Sequence, residues 1–169
     1  MWDKPAKPYL RSVADSGYCS WSKYHNWKET YTAEQLKLMI EQYLSSEKGK
    51  VVKIGDILNI HIRSRTVGGR ILTLVVETTG GSYNFGTDRI RWVFRRASNP
   101  ELILQSARFD VEITQDNRGR LKKAVFKGGG YGHGVGMCQC GAIGMSRSGW
   151  KYQDILAFYY KNIDLVKLY

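Results

Sequence analysis

The alternation of apolar and polar positions predicts a helix, then a run of strands, then two closing helices. Thr32-Ala-Glu-Gln35 has the form of a capping box, in which a Thr hydroxyl and a Gln side chain satisfy each other's backbone N–H groups at a helix start. Leu36, Met39, Ile40 and Tyr43 then recur at helical spacing, predicting a helix that ends between Ser45 and Lys48, ahead of Gly49. From Val51 the pattern becomes strand-like. Ile60 and Ile62 fall on one side, with His61 and Arg63 on the other, so His61 is expected on an exposed or partly covered sheet face. Gly68-Gly69 and Gly80-Gly81 turn the chain through two further strands, an antiparallel meander. Thr87 is placed to cap a short helix running to about Arg95. Residues 107–114 alternate cleanly, Asp116-Asn-Arg-Gly-Arg120 reads as a hairpin turn, and residues 121–127 return as the partner strand. A glycine-rich loop leads into a helix over residues 137–148, closed by Gly149, and a last helix over residues 152–160. The predicted class is α+β: small antiparallel meander sheets with three to four packing helices. One domain is expected over residues 1–169, with residues 50–105 as a candidate inserted subdomain.

Composition narrows the setting. A chain of 169 residues, 43% hydrophobic and 24% charged, can bury one sizeable core. It holds no run of the ~18 apolar residues that a membrane span needs. Met1-Trp-Asp-Lys-Pro-Ala-Lys-Pro8 lacks the apolar centre of a secretory signal. The excess of 26 Lys+Arg over 15 Asp+Glu, net +11, favours a polyanionic partner such as nucleic acid, anionic lipid or the acidic polymers of a bacterial wall. The densest cluster is Arg89, Arg91, Arg95 and Arg96, with a lesser one at Arg118, Arg120, Lys122 and Lys123. No nucleic-acid recognition motif accompanies them, so nucleic acid is not the expected partner. Trp2, Tyr9, Tyr18, Trp21, Tyr24, Trp27 and Tyr31, interrupted by Pro5, Pro8 and Gly17, read as an irregular segment draped over a core or lining a cleft.

The loop Gly128-Gly-Gly-Tyr-Gly-His-Gly-Val-Gly-Met-Cys-Gln-Cys-Gly-Ala142 sets seven glycines around His133. Glycine loses the most conformational freedom on folding, so this density implies unusual dihedrals or close approach to another group. Two readings follow: a histidine presented to a ligand, or a tight strand-to-helix crossover with a buried, hydrogen-bonded histidine. The three cysteines, Cys19, Cys138 and Cys140, allow a disulfide from Cys19 to one of the others, metal ligation, or buried free thiols.

The segment Gly-Tyr-Gly-His133-Gly-Val-Gly-Met-Cys-Gln139-Cys-Gly-Ala resembles the signature of the stage II sporulation protein D family, which includes cell-wall lytic transglycosylases and amidase-enhancer proteins. Pro8-Tyr-Leu-Arg-Ser-Val13, Tyr18-Cys19, Tyr24-His25-Asn-Trp27, Asp88-Arg-Ile-Arg91 and the segment from Trp150 to Tyr160 resemble it further, in order, over nearly the whole chain. Two departures stand out. Cys138 and Cys140 occupy positions where the family usually has a serine and an aromatic residue. The family's acid/base glutamate lies in an N-terminal Glu-x-Pro segment, and no Glu-x-Pro occurs here, so the resemblance places this chain downstream of that segment.

The resemblance implies peptidoglycan glycan-strand remodelling of the sporulation or engulfment type, as part of a lytic transglycosylase that is weak or inactive in this chain alone. The alternative is a non-catalytic peptidoglycan-binding or amidase-enhancer module. Lytic cleavage needs a single carboxyl that protonates the glycosidic oxygen and then serves as base. Glu29, beside Trp27 and Lys28, is the candidate within the chain, and its plainer reading is a surface or strand-edge acid paired with lysine. Asp110 and Glu112 share one strand face, where a solvated surface is the plainer reading. His133, Gln139, Tyr131, Tyr24, Trp27 and Lys28 are the implied glycan-binding residues, with Trp21 a further aromatic that suits a sugar face, and any of these rings would equally suit a core. Cys19 and His25, at C-x5-H spacing, would need His133 and Cys138 or Cys140 to complete a tetrahedral zinc site. No cofactor is required; the zinc would be structural if all four ligand positions are protein atoms. The implied partners are glycan strands and a cell-wall amidase or other engulfment proteins, in an extracytoplasmic, wall-facing location.

Overall fold

The capping box forms as predicted. Thr32 Oγ1 accepts from Gln35 N at 3.2 Å, and Gln35 Oε1 accepts from Thr32 N at 2.9 Å. The helix it opens, α1 (Ala33–Lys48), buries Leu36, Met39, Ile40 and Leu44 and stops at Gly49, whose φ of +62° lies in the left-handed region. This computed structural model describes residues 7–166, so Trp2 and Pro5 of the aromatic segment lie outside the described residues.

The strands form two antiparallel sheets of three. β2 (Ile57–Arg65), β3 (Ile71–Thr78) and β4 (Gly81–Gly86) pair in chain order as the predicted meander. In the second sheet β6 (Leu121–Gly128) lies between β5 (Phe109–Gln115) and β1 (Trp27–Thr32). With α2 (Arg89–Val93), α3 (Gln139–Arg147) and α4 (Tyr152–Tyr159), the described residues make an α+β protein.

β1 corrects the expectation of an irregular segment up to Tyr31. Trp27, Glu29 and Tyr31 face inward while Lys28, Thr30 and Thr32 face solvent, a period of two. A glutamate on the buried face hides that period from a hydropathy reading. The α2 cap is also corrected. Thr87 has φ +53° and makes no cap, Asp88 precedes the helix without a side-chain cap, and the helix ends at Val93 rather than Arg95. The glycine loop runs two residues further than predicted, and Cys138 Sγ caps α3 by accepting from Gly141 N at 3.4 Å.

The chain divides into two compact units, Asn26–Gly132 and a second made of Met1–His25 with His133–Tyr169. The first has an aromatic core: Phe126 stacks on Phe109 with ring centroids 4.7 Å apart and meets Tyr31 at 5.0 Å and Phe94 at 5.4 Å. The second has a small core of Met145, Ile155 and Tyr159, flanked by Tyr18, Met137 and Phe158.

Candidate functional site: a pinned glycine loop and a thiol–carboxylate cluster

Leaving β6, the glycine loop offers bare carbonyls, and side chains of its own unit take them up. Ser106 Oγ donates to Gly129 O at 2.9 Å, Trp27 Nε1 to Gly130 O at 3.1 Å, and Arg70 Nη1 to Gly132 O at 3.0 Å. Backbone bonds from Gly129 N to Arg108 O and from Gly132 N to Gln105 O complete the attachment. Glycine here exposes peptide groups, and those groups are what fix the loop. Tyr131 is 54% exposed, with the guanidinium groups of Arg96 and Arg91 lying 5.5 and 6.0 Å from its ring centroid. Arg91 itself is buried and held by Leu104 O and Asp88 Oδ1.

In the other unit, His133 is exposed, which excludes the buried-histidine reading. Its glycine neighbours Gly132 and Gly134 have φ of +91° and +74°, which side chains rarely adopt. His133 Nδ1 accepts from Val135 N at 3.0 Å. In the neutral ring the proton therefore sits on Nε2, which becomes a donor for a ligand. Gln139 is exposed in the first turn of α3. Tyr24 is half-buried, with Lys23 Nζ 5.2 Å from its ring centroid. Trp21 is exposed, donates to Cys140 O at 3.2 Å and carries Arg147 over its ring at 4.4 Å. A shallow depression lined by Trp150, Asp154, Ala157, Phe158 and Lys161 lies in this unit and does not include His133.

The candidate acid has a different role. Glu29 is 6% exposed, with Oε1 accepting from Gln105 Nε2 at 2.7 Å and Oε2 accepting from Ala97 N at 2.9 Å. Both oxygens are taken by groups that position residues 97–105, and Lys28 points to the opposite face of the strand. Neither a free acid nor a lysine-paired surface acid describes it. Burial first, and then the neighbouring Glu29 charge, push the Tyr31 phenol well above its usual range. Trp27 is likewise a core residue, buried against Phe109 with centroids 5.8 Å apart, rather than a free sugar-stacking face. Asp110 and Glu112 lie on the solvated face, paired with Arg65 and Lys127 at 2.6 Å each. His61 is partly covered, 3.8 Å from Glu77.

The thiols fall into a more specific arrangement. Cys19 Sγ lies 3.4 Å from His25 Nδ1. The ligand atoms of Asp15, Cys19 and Cys138 all lie within 4.8 Å of one another. His25, His133 and Cys140 do not belong to this cluster, which corrects the set expected from the sequence, and Asp15 enters it. Asp15 was missed because Asp-Ser-Gly17 reads as a turn, which it also is: Gly17 N donates to Asp15 Oδ1 at 3.3 Å. Burial pushes the Cys19 thiol up to about 12, reinforced by the hydrogen bond and charge of Asp15 and then by Cys138. Beside them the Tyr159 hydroxyl is also raised, by burial first and then by Cys138, Asp15 and Cys19.

With that geometry in view, residues 18–136 match the model of a family described as a domain of unknown function (DUF8618). The chain belongs to this family. Over 73 residues it is 38% identical to an uncharacterized protein of Brachyspira hyodysenteriae, covering 43% of this chain and 18% of that protein. Over 123 residues it is 31% identical to an amidase enhancer of Bacillus subtilis, covering 68% of this chain and 17% of that protein. The aligned stretches thus span less than a fifth of each relative's length. No helix among the described residues is long and apolar enough to cross a membrane.

Proposed function

We propose that this chain is a cell-wall module of the amidase-enhancer kind, which binds peptidoglycan glycan strands and promotes their remodelling through a partner amidase. The observation that carries this reading is the 123-residue likeness to an amidase enhancer. Three features support it. His133 stands exposed on a loop stripped of side chains, with Nδ1 tied to Val135 N so that Nε2–H is free to donate to a sugar hydroxyl. Gln139 adds a donor and an acceptor in an exposed position. The net charge of +11 suits a wall rich in anionic polymer. A wall-facing, extracytoplasmic location belongs to the same proposal.

The resemblance of the glycine signature to stage II sporulation protein D favours a second reading, in which the same surface holds a glycan for lytic cleavage in sporulation. Glu29 is a poor acid for that step, because both its oxygens already accept structural hydrogen bonds. Any acid would come from elsewhere.

Incubating the chain with purified sacculi, with and without a cell-wall amidase, separates these readings. The expected result is co-sedimentation with peptidoglycan, faster amidase release of stem peptides, and no anhydromuropeptides from the chain alone. Anhydromuropeptide production by these residues would overturn the non-catalytic reading. Co-sedimentation that survives glycan digestion but vanishes on teichoic-acid removal would replace the glycan with an anionic polymer.

A further inference from the structure

Two stretches more than a hundred residues apart in sequence bring a carboxylate and two thiols together in the unit formed by Met1–His25 and His133–Tyr169. The segment around Asp15 and Cys19 consists of turns, held by short backbone bonds such as Tyr18 N to Asp15 O at 3.0 Å. Cys138 is the cap of α3, its sulfur already receiving Gly141 N. A cysteine sulfur and a carboxylate oxygen are both ligand types that zinc takes.

A separate observation points into the same place. Tyr159 is 5% exposed, and its hydroxyl has no hydrogen-bond partner among the described residues. An orphaned buried hydroxyl carries an uncompensated desolvation cost, so its position asks for a partner. The backbone shows where it is aimed. A methyl group at Gly141 would collide with the Tyr159 hydroxyl and stand 2.9 Å from Asp15 Oδ2. Glycine at 141 therefore leaves the phenol tip room beside the carboxylate and the capping sulfur.

The geometry points to a zinc site made by Asp15, Cys19 and Cys138, with the Tyr159 hydroxyl as an outer hydrogen-bond donor to a ligand atom. In a tetrahedral zinc site with the usual bond lengths, neighbouring ligand atoms are ~3.5–3.8 Å apart. The three ligand atoms lie within 4.8 Å of one another, at most about 1 Å wider than that spacing. Two sulfurs and one carboxylate oxygen select zinc over magnesium or calcium, which prefer all-oxygen shells. His25, 3.4 Å from Cys19 Sγ, supports that sulfur from outside, and the fourth position is left to water. Bound metal would cross-link a stretch of turns to the start of α3, in the unit with the smaller core.

Binding of Zn2+ alone, by competition with a chromophoric chelator, and of Co2+ alone, by absorption, tests this on the reduced full chain. The expected result is one equivalent per chain and a thiolate-to-cobalt charge-transfer band. That band should disappear in Cys19→Ser and Cys138→Ser and persist in Cys140→Ser. Tyr159→Phe, which needs no repacking, should weaken zinc about 10-fold or more while leaving the helical signal unchanged. Asp15→Asn should weaken it further. A reduced wild-type chain without the thiolate band overturns the site, whatever the variants do. So does a band retained in Cys138→Ser, or lost only in Cys140→Ser.

Discussion

The buried glutamates of Asn26–Gly132 and the exposed imidazole of the glycine loop differ in what their hydrogen bonds do. Glu29 and Glu41 are each 6% exposed, and each receives a backbone N–H together with a side-chain donor. Their bonds join separate segments, β1 to residues 97–105 and α1 to residues 53–54, so they hold the fold. His133 accepts one local bond, from a residue two positions on, and keeps its other nitrogen for solvent or ligand. In the same unit as His133, the Tyr159 hydroxyl has no partner among the described residues. Unsatisfied or exposed polar groups beside glycine are what a binding surface needs, and satisfied buried ones are what a core needs. Glu29 and His133 are both polar by type, and only their hydrogen bonds and burial separate a residue that holds the fold from one turned to solvent.

The largest expected effect is in the aromatic core. Phe126→Ala, which removes the ring shared by Phe109, Phe94 and Tyr31, should cost about 3–5 kcal/mol in urea denaturation. A smaller loss would mean that the core of Asn26–Gly132 is looser than its ring contacts indicate. Next comes Glu29→Ala, which leaves Ala97 N and Gln105 Nε2 without their acceptor and should cost about 2–3 kcal/mol. It should leave amidase stimulation per folded molecule unchanged. Loss of stimulation without loss of stability would turn the comparison around and return Glu29 to the site.

Glu41 gives a pH-dependent version of the same contrast. Burial acts to raise its pKa, but hydrogen bonds from Lys53 and Ile54 N, with the Lys53 and Lys37 charges, outweigh burial and hold it below the ordinary 4.5. A carboxyl depressed in the folded state stabilises the protein above its unfolded pKa, and that contribution fades as pH falls through the folded value. Thermal melts should therefore lose stability as pH drops below about 4.5, and Glu41→Gln should flatten that dependence. The smallest effect on stability is expected at the loop. His133→Ala should change the melting midpoint little, within about 0.5 kcal/mol, yet weaken retention on sacculi roughly 3–10-fold, the equivalent of one hydrogen bond. Unchanged retention would remove His133 from the binding surface.

The clearest local signals were read correctly, and others were not. Thr32 and Gln35 announce a helix start because a capping box closes within four residues, and the glycine runs at 68–69 and 80–81 separate the strands of the meander. Thr87 misled because its left-handed φ of +53°, which puts it outside any cap geometry, is not visible in its residue type. Cys138 was singled out, but its partner Asp15 was not, since nothing in an Asp-Ser-Gly turn marks it for a site 123 positions away.

The amino-acid order by itself thus determined the capping box of α1, the alternation of β5 and the bareness of the loop around His133, all set by interactions among near neighbours. Only the tertiary structure decided that Glu29 faces inward, that Trp27 closes the core over Gly128, and that Asp15, Cys19 and Cys138 meet under Tyr159. Burial and ligand geometry depend on which distant segments pack together, and a polar side chain reads alike on either face of a strand until its neighbours are known.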